Sequence, residues 1–444
     1  MATTKRTRII DVKDYDAIHP STSGSSIDTW QLPSATSDAL SNLQAAAQVL
    51  RSGNVPVAFP TETVYGLAAD ATRSDAVKGI YLAKGRPSDN PLIIHVSDLE
   101  MLRNLLATGS GTKPKSELIP DIYKPLLARF WPGPLTILLR NTENLPLAPE
   151  VTAGLGTFAV RMPASGLARS LIKLAGVPLA GPSANASTKP SPTTAQHVLD
   201  DLDGRVDLIL DGGPCPIGVE STVVDGLCDP PVILRPGGLT IEEIRTCAGW
   251  ERVEKEYQDQ AELDAAAIVR SPGTKYKHYS PKASVILYEA AFPAGCGLKV
   301  GDDAEKFLNL FHHTPVGSIG IIRTKYWEPG ASIPGLKLVA TGTGQDLHKV
   351  PIPKDKFLEW QWNMGEPGAK IVKVWDIGLG EDGKKIAQGL FGALRELDAR
   401  GADIIFVEGI DDGLDMASAV MNRLRKAAAE IIYESRDSQQ GVTQ

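Results

Sequence analysis

Short apolar runs alternate with stripes of helical period along most of this chain, a pattern that predicts strands and helices in turn and so an α/β architecture. The run VPVAF reads as a buried strand broken by the turn residues PTET. A helix follows, with Thr72 or Ser74 as its cap and Gly85 at its end. On it Val77, Ile80, Tyr81 and Lys84 fall at i, i+3, i+4 and i+7, so Lys84 takes the last place of an otherwise apolar stripe. That place alone leaves two uses open for the lysine. Its stem covers apolar surface while the ammonium reaches water, or the ammonium serves a ligand. Arg86 follows the glycine in a loop that passes Asn90 and enters the strand PLIIHV, with His95 near its end. Two cations leaving one helix end suggest an anion such as a phosphate.

WPGPLTILL predicts another strand, and so does TFAVRMP, where alternation puts Phe158, Val160 and Met162 on one face and Thr157, Ala159 and Arg161 on the other. Arg161 therefore projects from a strand. VPLAGPSANAS runs from a strand into a turn of small polar residues, where Ser183 and Asn185 are short enough to let a ligand approach the backbone. Ser191 reads as the cap of the helix TTAQHVL, with Pro192 at its first position. Arg235, in ILRPGG, lies between a strand and the capping box Thr240 to Glu243.

The Ser/Thr-rich start predicts a flexible tail over residues 1–35, ahead of a first α/β domain over 36–250. A charged and proline-bounded connection, 251–282, follows. From SVILY onward a second, smaller α/β unit spans 283–434, and 435–444 reads as a tail. A chain of 444 residues exceeds one ordinary core, which agrees with this division. The net charge of −7 argues against a protein that grips a nucleic acid broadly by its phosphates. The four cysteines, Cys215, Cys228, Cys247 and Cys296, match no zinc spacing or redox pair, which suits a reducing compartment. No stretch approaches the roughly 20 apolar residues of a membrane span, and no secretory signal opens the chain, so a cytoplasmic location is expected.

The segments PTETVYGL, KGRPSDNPLIIHV, WPGPLT, VRMP, GPSAN, GVESTVV, ILRPG and SPGTKYKHYSP occur in this order, and together they resemble the Sua5/YrdC/YciO family in its longer, two-domain form. The resemblance implies a YrdC-like twisted-sheet domain with a central basic cleft, followed by a smaller Rossmann-like domain. It implies a nucleotidyltransferase that makes threonylcarbamoyl-AMP and pyrophosphate from L-threonine, bicarbonate or CO2, and ATP, with Mg2+. The product would feed a separate transferase that modifies adenosine 37 of tRNAs reading codons that begin with adenine, with tRNA met only weakly or indirectly. By the same resemblance Lys84, Arg86, Ser183 and Asn185 form the catalytic signature. Threonine would lie among Thr63, His95, Arg161 and Ser221. ATP would contact Lys84, Arg86, Asn90, Thr157, Ser183, Asn185, Ser191 and Arg235, and no protein metal site is implied. SPGTKYKHYSP departs from the family's form at Thr274, Lys277 and Ser280. Its Lys275, His278 and Tyr279 are expected in a lid over the nucleotide, against the simpler reading in which the rings dock the connection on one domain.

Two other functions compete. Gly378, Gly380 and Gly383 form a G-x-G-x-x-G between a strand and a helix, with Glu408 placed as a ribose-binding acid, the pattern of a dinucleotide-dependent oxidoreductase. Glu381 and Asp382 weaken it, because their carboxylates would oppose the phosphates. An RNA-binding module is the third reading, weakened by an aromatic content of only 6%.

Overall fold

A computed structural model describes residues 6–15, 27–32, 37–109, 114–256, 278–289, 317–341, 357–363, 371–411 and 416–433. The chain divides into two compact units, Met1–Tyr276 and Lys277–Gln444.

In the first unit β1 (Arg8–Asp11), α1 (Asp38–Ser52), β2 (Val57–Phe59), β3 (Gly66–Asp70), α2 (Ser74–Lys84) and β4 (Ile93–His95) come first. Next come α3 (Leu99–Ala107), α4 (Lys124–Phe130), β5 (Leu135–Arg140), α5 (Pro149–Thr152), β6 (Thr157–Arg161) and α6 (Gly166–Ala175). The unit closes with β7 (Leu179–Ala180), α7 (Ala195–Leu202), β8 (Leu208–Asp211), β9 (Thr222–Asp225), β10 (Val232–Arg235), α8 (Ile241–Arg245) and β11 (Glu254–Lys255). The strands form one mixed sheet in the order β1-β8-β2-β3-β7-β4-β6-β5-β9-β10-β11.

Both faces of the sheet are covered, and period-two alternation assigns each side chain to one of them. Val57, Phe59, Ala68, Leu208 and Leu210 pack with α1 and α6, whereas Ala58, Leu67, Ala69 and Ile209 join the core under α2, α3 and α7. A third, small apolar patch, Ile93, Leu138, Ala159, Val223, Val232 and Leu234, lies across β4, β6, β5, β9 and β10. Alternation places His95, Arg161, Thr136 and Ser221 on this same face, two residues from Ile93, Ala159, Leu138 and Val223.

Several sequence expectations change here. Residues 1–35 are not simply a tail: β1 pairs in parallel with β8, and Tyr15 and Trp30 are buried. Tyr15 Oη and Trp30 Nε1 both donate to Ser170 Oγ, at 2.7 and 2.8 Å. The first unit also runs past residue 250, since β11 pairs with β10. Arg73 is the N-cap of α2 and makes no side-chain capping bond, Thr72 instead bonding to Asp70 and Ser74 to Glu150. Gly85 ends that helix at φ 62°, the left-handed cap that the sequence predicts. Thr194, not Ser191, caps α7 by accepting from His197 N, so Pro192 lies outside the helix.

The second unit holds β12 (Ser284–Tyr288), β13 (Ser318–Arg323), β14 (Leu336–Thr341), β15 (Phe357–Asn363), β16 (Ile371–Gly378), α9 (Gly383–Ala399), β17 (Ile404–Glu408), α10 (Ala417–Ala427) and β18 (Glu430–Ile432). Its sheet runs β14-β15-β16-β13-β17-β12-β18, parallel from β16 to β18 with an antiparallel edge, a Rossmann-like arrangement. The glycine pattern does sit between β16 and α9. Its dinucleotide chemistry, however, is already spent inside the fold. Asp382 caps α9 by accepting from Lys385 N at 2.9 Å, and Glu408 accepts from the backbone of Thr324, Lys325 and Tyr326. Residues 434–444 lie outside the described residues, so the expected tail there does too.

Replacing Ser170 by Ala removes the acceptor shared by two buried donors, and we expect a loss of about 1–3 kcal/mol. A denaturant titration should show the midpoint fall with an unchanged slope. An unchanged midpoint would mean that the N-terminal segment is not held as described.

Candidate active site

The site is built on strand ends of the first unit. Arg161 ends β6 beside His95 of β4 on one side and Thr136 of β5 on the other. Only 4% of it is exposed, so its donors must be met from within. Nε donates to the Gly133 carbonyl at 3.1 Å and Nη1 to Thr63 Oγ1 at 2.8 Å. Nη2 lies against Glu62 Oε1 as an ion pair, yet neither atom makes an aligned hydrogen bond. Thr61 Oγ1, 2.9 Å from Thr63 Oγ1, holds the turn, and Ile217 N and Gly218 N donate to the carbonyls of Glu62 and Thr63.

His95 is buried beside this cation. Burial first, and the Arg161 charge second, push its pKa down to about 3, so the imidazole is neutral at ordinary pH. Its Nδ1 has no hydrogen-bond partner and faces Gly181, where a Cβ would come within 2.9 Å of that nitrogen. Ser221 completes the group: its Oγ lies 2.7 Å from Thr136 Oγ1, and Arg235 Nη2 donates to its carbonyl at 2.9 Å. Thr63, His95, Arg161 and Ser221, four residues far apart in sequence, thus gather around the end of β6.

A second group forms where the C-terminus of α2 meets the GPSAN turn. Lys84 is 2% exposed and does not snorkel. Its ammonium donates to the carbonyls of Ser183 and Asn185 and lies 3.3 Å from Asn185 Oδ1, while Ser187 N donates to the Lys84 carbonyl. Ser183 Oγ donates to Asn185 Oδ1, and Asn185 Nδ2 donates to the carbonyls of Ala186 and Lys189 at 2.8 and 2.9 Å. Arg86 reaches the carbonyls of Asn90 and Pro91, and Asn90 Oδ1 is buried without a hydrogen-bond partner. The GPSAN turn joins the two groups, because Gly181 packs on His95 and Ser183 bridges to Gly66.

Ser191 donates to the buried Glu220. Thr157 starts β6, four residues and therefore about 13 Å from Arg161, and is only partly buried. Lys275 lies outside the described residues. His278 and Tyr279 belong to the second unit, where the Tyr279 ring stacks on Phe391 at 5.2 Å and Arg423 lies over its face. For Tyr279 this contact is of the kind the simpler reading expects, and the connection from residue 257 to 277 lies outside the described residues. Sequence reasoning missed Glu62, Thr136, Glu220 and the Gly133 carbonyl. Only Glu62 left a signal, as an acid in the PTET turn next to Thr63.

Cys215, close to Glu62 and Arg161, is fully buried, and burial pushes its thiol far up, so it is no thiolate nucleophile. Among the described residues no group of three or more His, Cys, Asp or Glu side chains could hold a metal ion. The arrangement offers a fixed guanidinium, a neutral imidazole and hydroxyls, beside a turn clamped by a lysine.

Comparison with known proteins bears on what such a site is for. The Sua5_yciO_yrdC family model, described as Telomere recombination, matches residues 48–237, and one described as Threonylcarbamoyl-AMP synthase, C-terminal domain, matches 239–429. The chain is similar to the Threonylcarbamoyl-AMP synthase of Schizosaccharomyces pombe, 44% identical over 90% of this chain and 91% of that one. It is similar to the protein of the same name from Bacillus subtilis at 41% identity, covering 86% and 92%. Among solved structures, Sua5 of Pyrococcus abyssi complexed with L-threonine superposes with a TM-score of 0.68 at 36% identity, covering 97% of this chain and all of that one.

The buried neutral imidazole has a pH signature. Its folded pKa of about 3 lies below the ordinary 6.5, so the stabilisation is complete above pH 6.5 and is lost as pH falls towards 3. Between pH 7 and pH 5 this one group should cost about 2 kcal/mol of stability. We expect His95→Gln to lose correspondingly less over that interval in denaturant titrations at the two pH values. Equal losses would contradict a buried neutral His95.

Proposed function

The chain belongs to the Sua5/YrdC/YciO family, and from that premise we propose that it is a nucleotidyltransferase that converts L-threonine, bicarbonate or CO2, and ATP into threonylcarbamoyl-AMP and pyrophosphate. The observation that carries this reading is Arg161, a buried guanidinium aimed by Gly133 and Thr63 next to a neutral imidazole. A planar fork in a buried site suits the carboxylate of an amino acid. His95 and the hydroxyls of Thr63 and Ser221 add the neutral polar contacts that fix its orientation.

The reaction asks the protein chiefly for positioning and positive charge. The threonine amine, once deprotonated, takes up CO2 to give N-carboxythreonine. A carboxylate oxygen of that carbamate then forms a bond to the α-phosphorus of ATP as the bond to the bridging oxygen breaks, and pyrophosphate leaves with the electron pair. No covalent enzyme intermediate is needed, in keeping with the inert Cys215. Arg86, Asn90 and Arg235 are the proposed nucleotide contacts, with Ser183, Asn185, Ser191 and Thr157. Lys84 holds the Ser183–Asn185 turn through its carbonyls, and any phosphate contact by its ammonium would exchange one of those bonds. Magnesium would be carried by the triphosphate oxygens, as is usual for a nucleotide substrate.

The mixed carbamic–phosphoric anhydride is labile, so a second enzyme must take the threonylcarbamoyl group promptly. Its acceptor in this reading is adenosine 37 of tRNAs that decode codons starting with adenine, with tRNA meeting this chain weakly or indirectly. The setting would be the cytoplasm, and among the described residues no helix is long and apolar enough to cross a membrane.

Incubating the purified protein with ATP, magnesium, bicarbonate and single amino acids, and following pyrophosphate, tests the assignment. Release should require both threonine and bicarbonate. Equal release with serine, or without bicarbonate, would refute it.

A further inference from the structure

Glu62 has no part in the roles given so far, yet it stands in the middle of the threonine group. It precedes Thr63, its side chain is 9% exposed, and its Oε1 lies against Arg161 Nη2. Neither carboxylate oxygen accepts a hydrogen bond, and Nη2 of Arg161 donates none. The backbone of the same turn is fixed, because the Glu62 and Thr63 carbonyls accept from Ile217 and Gly218 at 2.9 and 3.1 Å. A buried carboxylate whose Oε2 has no hydrogen-bond donor and whose Oε1 rests on the guanidinium that would receive a substrate carboxylate is poised for exchange.

From this geometry we infer that Glu62 is the specificity-determining residue for the amino group: it neutralises Arg161 in the empty site and pairs with the substrate ammonium once the substrate carboxylate has taken Arg161. The inference rests on the threonine reading of the site. Charge balance drives it. Glu62 and Arg161 together are neutral, and a zwitterion adds one charge of each sign, so every buried charge keeps an opposite neighbour when it enters. A hydroxy acid without the amine brings only a negative charge. It would place two carboxylates on one buried guanidinium, and like charges so placed are costly. His95 cannot serve the ammonium as a counter-charge, since an imidazole is neutral or cationic, and Cys215 cannot either, being a buried thiol. Within this group Glu62 is the one anion. Glu62 thus acts as a placeholder that only an α-amino acid displaces without leaving a buried charge alone.

The test compares binding of L-threonine with that of (2S,3R)-2,3-dihydroxybutanoate, in which a hydroxyl replaces the amine, by calorimetry on the full chain. The wild type should bind threonine and prefer it over the analogue at least tenfold. Glu62→Gln should weaken threonine at least tenfold while leaving the analogue unchanged or tighter, because Arg161 loses its internal competitor. Threonine binding unaffected by the substitution, or both ligands weakened in parallel, would overturn the inference. Failure of the wild type to bind threonine would instead remove the functional reading beneath it. Glu62→Asp, which keeps the charge, carries the test should Glu62→Gln melt abnormally. It should retain the preference for the amine, and its loss with the charge in place would likewise count against Glu62.

Discussion

A guanidinium buried at the end of a central strand has to be met by oxygen atoms, and the atoms that meet Arg161 define this site. Gly133 before β5, Thr63 in the turn after β2 and Glu62 beside it are drawn to one point by that requirement. The same charge, added to burial, keeps His95 neutral. A cation in such a place is destabilising unless it is paired, so the arrangement is best understood as one kept for a ligand that completes it.

Lys84 plays the complementary part at the other end. An ammonium that reaches backbone carbonyls locks the end of α2 to a turn about a hundred residues away, and so fixes Ser183 and Asn185 relative to Arg86. The lysine organises the turn before it can serve a phosphate. The two groups share the GPSAN segment, so in the proposed reaction one short piece of chain would join the amino acid and nucleotide ends.

Much of this was legible in residues whose signals are local. Alternation in TFAVR sent Arg161 to the face opposite Phe158, and the place of Lys84 at the end of an apolar stripe marked it as a residue to explain, although its ammonium, read as reaching water or a ligand, is buried on backbone carbonyls. What stayed hidden depends on partners remote in sequence. The pairing of Arg8–Asp11 with Leu208–Asp211 has no local marker, and short polar flanks make that strand look like a tail. Backbone carbonyls as the acceptors of Lys84 leave no trace in residue identity. The cap of α7 went to Thr194 rather than Ser191 because both fit the pattern, and Ser191 is drawn to Glu220 instead. In the second unit a literal glycine motif formed its strand–loop–helix, but Asp382 and Glu408 had already been taken up by backbone donors.

The central claim is that Arg161 exchanges an internal carboxylate for that of the substrate. A crystal structure of this protein with L-threonine tests it most directly. The account expects both oxygens of the threonine carboxylate within hydrogen-bond distance of the Arg161 guanidinium, and Glu62 moved from Nη2 towards the threonine nitrogen. Threonine bound with the Glu62–Arg161 pair intact, and its carboxylate on other groups, would contradict it.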